Sequence, residues 1–172
     1  MGMDVYGKAP RSKAGEYFRN NCWHWRPLAD YILGTVPQEI TALCEHWHTN
    51  DGDGLGDKES LMLAQFLRAE MMHGRTAEYA CERVRKISAM PREQCWICVG
   101  TGIRSDAIGK ADGWDKKVVE EEGNPRHGQT GSCNACGGWG SKPAREGNYW
   151  FDLENVAAFC EFLEGCGGFE IR

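Results

Sequence analysis

The chain has 172 residues, 41% of them hydrophobic, and a formal net charge of −5 from 20 basic and 25 acidic side chains. That length fits one domain with room for a small sub-domain, and the apolar fraction suffices for a packed core. The acidic balance argues against a general nucleic-acid binder, which needs a basic face against phosphate. Arg83, Arg85 and Lys86 do cluster, but on a helix such a group reads as a solvated face.

Met3 and Val5 alternate near one end of the chain and Phe169 and Ile171 near the other, so the two ends are expected to pair as short strands. Lys8 to Lys13 reads as loop. Pro27 is placed to open a helix through Leu28, Tyr31 and Ile32 to Gly34. Thr35 suits the N-cap of a second helix, in which Ile40, Leu43, Cys44 and Trp47 fall at i, i+3, i+4 and i+7. Asn50 to Gly56 is a turn rich in glycine and aspartate. A third helix is expected with Asp57 as cap, Leu63, Phe66, Leu67 and Met71 as apolar face, and Gly74 at its end. Thr76 starts a fourth with Tyr79, Ala80, Val84 and Ile87 inward, stopped by Pro91. After a long polar insert, with a short helix expected near Trp114 to Glu122, the aromatic run Tyr149, Trp150 and Phe151 should pack. Asp152 then caps a last helix with Val156, Phe159, Cys160 and Leu163 on one face and Gly165 at its end.

Nine cysteines are present, an odd number. Two stretches, Cys95-Trp96-Ile97-Cys98-Val99-Gly100-Thr101-Gly102 and Cys133-Asn134-Ala135-Cys136-Gly137-Gly138-Trp139-Gly140, spell the same pattern, CxxCxGxG. Two such pairs supply the four thiolates of a tetrahedral structural zinc, and the trailing glycines let backbone N–H groups turn toward the sulfurs. Cys95, Cys98, Cys133 and Cys136 are therefore the expected ligands of one Zn²⁺. Cys22, Cys44, Cys81, Cys160 and Cys166 remain; several fall in apolar helical patterns, which favours free thiols in a reducing, cytoplasmic compartment over a disulfide framework. No apolar run approaches a membrane span, and the first residues form no signal-peptide apolar region.

The repeat resembles the cysteine-rich region of DnaJ-type chaperones, which carries four copies and two zinc ions. This chain has two copies, enough for one ion, and no His-Pro-Asp tripeptide. The resemblance implies a zinc fold and a protein-binding surface, not a co-chaperone. The chain is also similar to small proteins of bacteria and their phages that open with runs like Met3-Asp4-Val5-Tyr6-Gly7-Lys8 and Gly15-Glu16-Tyr17-Phe18-Arg19-Asn20-Asn21 and close with one like Gly167-Gly168-Phe169-Glu170-Ile171. That resemblance implies no particular activity.

Other clusters carry plainer readings. His46 and His48 with Asp51 and Asp53 suggest a second, catalytic metal, but i, i+2 residues point apart on a helix, so two surface histidines at a helix end is the preferred reading. Asn50 to Gly56 begins like a calcium loop, yet Met62 stands where the bidentate glutamate belongs. Cys22 and His24 are too close in sequence to suggest a nucleophile and its base. A redox role for the CxxC pairs is weaker than metal binding, because both copies carry the glycines. Glu120, Glu121 and Glu122 read as a solvated acidic face.

The expected fold is mostly α with a small β component (α+β): a helical core over residues 1–92, a two-knuckle zinc module over 93–142 with its polar insert at 103–131, and a C-terminal helix and strand over 143–172 packing back on the core. With no phosphate loop, nucleophile elbow or clear acid/base pair, the expected role is a non-enzymatic accessory or regulatory protein with a protein partner. One form of it is a phage-borne inhibitor of a host defence complex. Trp114, Arg126, His127 and Trp139 are the candidate binding residues. The alternatives are a metal-dependent enzyme at His46, His48, Asp51 and Asp53, or a nucleic-acid adaptor using the zinc module. A nucleic-acid partner and a membrane are not expected.

Overall fold

The structure, a computed structural model, describes residues 2–172. In chain order it contains β1 (Gly2–Gly7), β2 (Tyr17–Asn21), α1 (Cys22–Thr35), α2 (Gln38–Thr41), α3 (Asp57–Met72), α4 (Arg75–Ser88), β3 (Glu93–Gln94), α5 (Ala107–Ala111), β4 (Ser141–Lys142), α6 (Leu153–Gly165) and β5 (Phe169–Ile171). This is a mixed α+β fold. It divides into two compact units, one made of Met1–Lys86 with Asn148–Arg172, the other of Ile87–Gly147. Among the described residues, no helix is long and apolar enough to cross a membrane.

In the first unit β1 is the middle strand of an antiparallel sheet ordered β2-β1-β5. Val5 lies opposite Phe18 on one side and Ile171 on the other, so the two ends pair as their alternation predicts. Strand β2 is a finding of the structure alone. Its inward positions are Phe18 and Asn20, and the buried Asn20 amide donates to Asn155 Oδ1 at 2.7 Å. A polar residue facing inward hides the alternation that would mark a half-buried strand.

Helix α1 begins five residues before Pro27. Asn21 caps it, its Oδ1 accepting the N–H groups of Trp23 and His24 at 3.0 Å. Pro27 lies inside the helix, and having no N–H it leaves the Trp23 carbonyl free. That carbonyl is taken by the Trp150 N–H at 3.0 Å, so the proline breaks no hydrogen-bond balance.

The helix expected over residues 40–47 is reduced to the single turn α2. Ile40, Cys44 and Trp47 are buried, but Leu43 is 57% exposed. Thr35, expected as its cap, ends α1 instead, its Oγ1 donating to Tyr31 O at 2.7 Å. The following loop is fastened by Asp53, whose carboxylate accepts the backbone N–H groups of Glu45, His46 and Gly54. Trp47 reaches the core from this loop. Its indole N–H donates to Thr41 O at 3.1 Å, and its carbonyl accepts from Trp25 Nε1 at 2.5 Å.

Helix α3 packs along α6 through Leu63, Ala64 and Leu67. Asp57 is its first residue rather than its cap, which is Gly56. On α4, Thr76 is the one buried residue, its hydroxyl 2.9 Å from Tyr31 Oη, and Tyr79 packs on Tyr31 and Phe151 with ring centroids 4.8 and 4.9 Å apart. Val84, expected inward, is exposed, while Ala80 and Ile87 are half-buried. Asp152 caps α6 by accepting the Asn155 N–H at 2.6 Å, and Val156, Phe159, Cys160 and Leu163 are all buried, as their spacing predicts. Trp25, Tyr31, Phe159, Phe162 and Phe169 make the core of this unit strongly aromatic. Each such side chain contributes about 1.5–3 kcal/mol by its burial.

The second unit has little regular structure. β3 pairs antiparallel with β4, and α5 is a short helix whose cap Asp106 accepts the Gly109 N–H at 2.7 Å. The helix expected near Trp114 to Glu122 is absent. Val118 bridges Thr130 there, and the Val119 N–H donates to Gln129 O at 3.0 Å. Two adjacent β-branched residues favour this extended pairing over a helix.

Candidate metal centre

The β3–β4 ladder joins the bases of the two CxxCxGxG knuckles, and the Cys95 N–H donates to Gly140 O at 2.9 Å. The knuckles have nearly the same backbone. After the second cysteine of each, φ is +51° at Val99 and +59° at Gly137, then +84° and +94° at Gly100 and Gly138, then +75° and +73° at Gly102 and Gly140. The last glycine of each repeat turns its N–H onto a sulfur: Gly102 donates to Cys98 Sγ at 3.2 Å and Gly140 to Cys136 Sγ at 3.3 Å. A Cβ on Gly102 would strike the Gly138 carbonyl, and one on Gly140 the Gly100 carbonyl. These reciprocal contacts relate the knuckles by an approximate two-fold axis and explain why glycine ends both repeats.

Each knuckle is also braced by a side-chain amide on the equivalent carbonyl. Gln94 Nε2 donates to Val99 O at 3.1 Å, and Asn124 Nδ2 to Gly137 O at 3.0 Å. Gln94 is exposed, whereas Asn124 is buried and its Oδ1 accepts the Arg126 N–H at 3.0 Å.

Cys95, Cys98, Cys133 and Cys136 are all buried, and their sulfurs lie within 4.8 Å of one another. Cys95 Sγ is 4.0 Å from Cys133 Sγ, and Cys98 Sγ is 3.7 Å from Cys136 Sγ. A tetrahedron of sulfurs about 2.3 Å from a central ion has edges of roughly 3.8 Å, so the observed spacing fits such an ion and is far too long for a disulfide. Burial pushes the Cys136 thiol up to about 12 and raises Cys133 as well. Burial opposes ionisation of Cys95 too, but the backbone N–H groups at Cys98 and Ile97, with the Cys98 and Cys136 side chains, bring it down to about 7. The pocket thus eases the ionisation of one thiol and resists it at others, and a divalent cation bound there would supply the charge that four thiolates require.

The other cysteines differ. Burial pushes the Cys44 thiol up to about 12 and Cys160 to about 11, and raises Cys166; all three sit in the apolar core as unreactive small hydrophobes. Among the described residues, the four knuckle cysteines are the one group of three or more metal-ligating side chains close enough to share an ion. His46, His48, Asp51 and Asp53 are not brought together. Asp53 is engaged by backbone, Asp51 accepts the Thr49 hydroxyl, and His48 Nε2 lies 3.3 Å from Asp30 Oδ1.

Arg126 serves inside the unit, its guanidinium donating to Thr101 O at 3.1 Å and Thr130 O at 3.0 Å. Trp139 donates its indole N–H to Glu121 Oε2 at 2.7 Å, with the Arg92 guanidinium 4.9 Å from its ring centroid. His127 Nδ1 is 3.2 Å from Glu121 O, and Lys117 Nζ sits 4.5 Å from the Trp114 ring centroid. The sequence reading missed Trp96, which is 77% exposed, and Val99, 68% exposed. Setting the two repeats side by side marks Val99 as the residue that stands where the other copy has glycine. Comparison of the chain with family models, curated proteins and solved structures finds no match.

Proposed function

We propose that the protein is a zinc-stabilised, non-enzymatic accessory or regulatory protein that binds a protein partner. The observation that carries this reading is the closed four-sulfur cluster beneath an exposed tryptophan. Four thiolate ligands leave no coordination position for a substrate, which is the mark of a structural rather than a catalytic ion. Soft sulfur donors favour zinc over the hard cations. Trp96 and Val99 lie on the first knuckle, a turn that the metal would hold rigid, and tryptophan is over-represented among residues that anchor protein interfaces.

The proposal extends to a bacterial or phage setting, with inhibition of a host defence complex as one form of the role. The test is a tagged pull-down from bacterial lysate with metal analysis of the same preparation. The expected result is one zinc per chain and a stoichiometric partner that Trp96→Ala loses while keeping its zinc. Absence of such a partner, or one indifferent to Trp96→Ala, counts against the reading.

A further inference from the structure

The two knuckles are copies in backbone but not in strain. The position after the second cysteine takes positive φ in both, at +51° for Val99 and +59° for Gly137. Glycine occupies that region freely, whereas a β-branched residue there is a genuine outlier. Val99 is the single non-glycine residue with positive φ among the described residues, and its exposed side chain gains little from burial in return. The braces are unequal in the same direction: exposed Gln94 holds the Val99 carbonyl, while buried Asn124 holds that of Gly137.

We propose that Val99 makes the first knuckle the labile half of the metal centre, so that the ion enters and leaves by way of Cys95 and Cys98 while Cys133 and Cys136 retain it. The inference rests on the zinc reading above. Val99 takes the left-handed region in the arrangement that brings the four sulfurs together, so opening the first knuckle would let it relax toward ordinary φ. The second knuckle has no comparable strain to release. A ligand set with one strained half exchanges its ion faster than two relaxed halves would.

The test is chelator competition on the full-length zinc-loaded protein, reading both affinity and the rate of zinc release. Asparagine tolerates the left-handed region without the added chain entropy of glycine. Val99→Asn is therefore expected to bind zinc about tenfold more tightly and to release it correspondingly more slowly, and Val99→Gly to change in the same direction. Gly137→Val should place the same strain in the second knuckle and weaken binding, with circular dichroism of the zinc-saturated variant confirming its fold. Equal affinity and release rate in wild type, Val99→Asn and Val99→Gly would overturn this inference and leave the zinc site standing. Failure of the wild-type protein to retain zinc through desalting would overturn both.

Discussion

The two units are built on different physical terms. The first buries a continuous cluster that includes Trp25, Tyr31, Trp47, Phe159, Phe162 and Phe169. In the second, the corresponding cluster consists of the four knuckle cysteines, with Ile97 and Ala135 packed against it. One unit is held by the hydrophobic effect, which acts wherever apolar area leaves water. The other has too few apolar side chains for that, and its many glycines increase the entropy lost on folding. The difference teaches that the second unit must draw its order from something other than an apolar core; on the proposed zinc reading that is one ion, and the unit's stability would follow the ion's availability.

Removing a ligand breaks the comparison most severely. Apparent zinc binding in small modules is about 10–16 kcal/mol, so Cys98→Ser should leave residues 87–147 unfolded and without zinc while the first unit keeps its near-ultraviolet aromatic signal. A wild-type signal from both units would contradict the division. Acidification acts on the same side. The Cys133 and Cys136 thiols lie above their ordinary range, so at neutral pH both are protonated without metal and must release their protons on binding. Zinc affinity is then present at high pH and lost as pH falls. Between pH 8 and pH 6 these two sites alone should weaken it by about ten-thousand-fold, readable as proton release in calorimetric titrations in buffers of different ionisation heat.

On the other side, Phe159→Ala should destabilise the first unit by about 3–5 kcal/mol in denaturant titration, with zinc content unchanged. Asn124→Ala leaves the Gly137 carbonyl without its amide partner and should lower the stability of the second unit alone by about 1–3 kcal/mol. Asp152→Ala removes the cap of α6 for about 1 kcal/mol, felt only in the first unit.

The clustering of Cys95, Cys98, Cys133 and Cys136 was legible in sequence because it is local chemistry repeated: two copies of one motif name the members of the group. Helix α6 was legible for a similar reason, with a cap at Asp152 and an apolar stripe in register. What escaped depends on distant partners. The start of α1 was hidden by Pro27, tolerated only because Trp150 supplies the missing donor to Trp23. Strand β2 was hidden by Asn20, acceptable inside only because Asn155 meets it. The stripe from Ile40 to Trp47 has helical spacing, yet Asp53 binds the backbone at Glu45 and His46 and draws the chain into a loop. The knuckle braces, Gln94 and Asn124, lie outside the repeats, so no motif points to them.

The most direct test of a metal-held second unit is hydrogen–deuterium exchange on the zinc-loaded protein before and after chelation. The account predicts that amides across 87–147, above all those of Gly102 and Gly140, lose protection when the ion is withdrawn, while those of α1, α3 and α6 are unchanged. Protection across 87–147 that survives complete removal of the metal would contradict it.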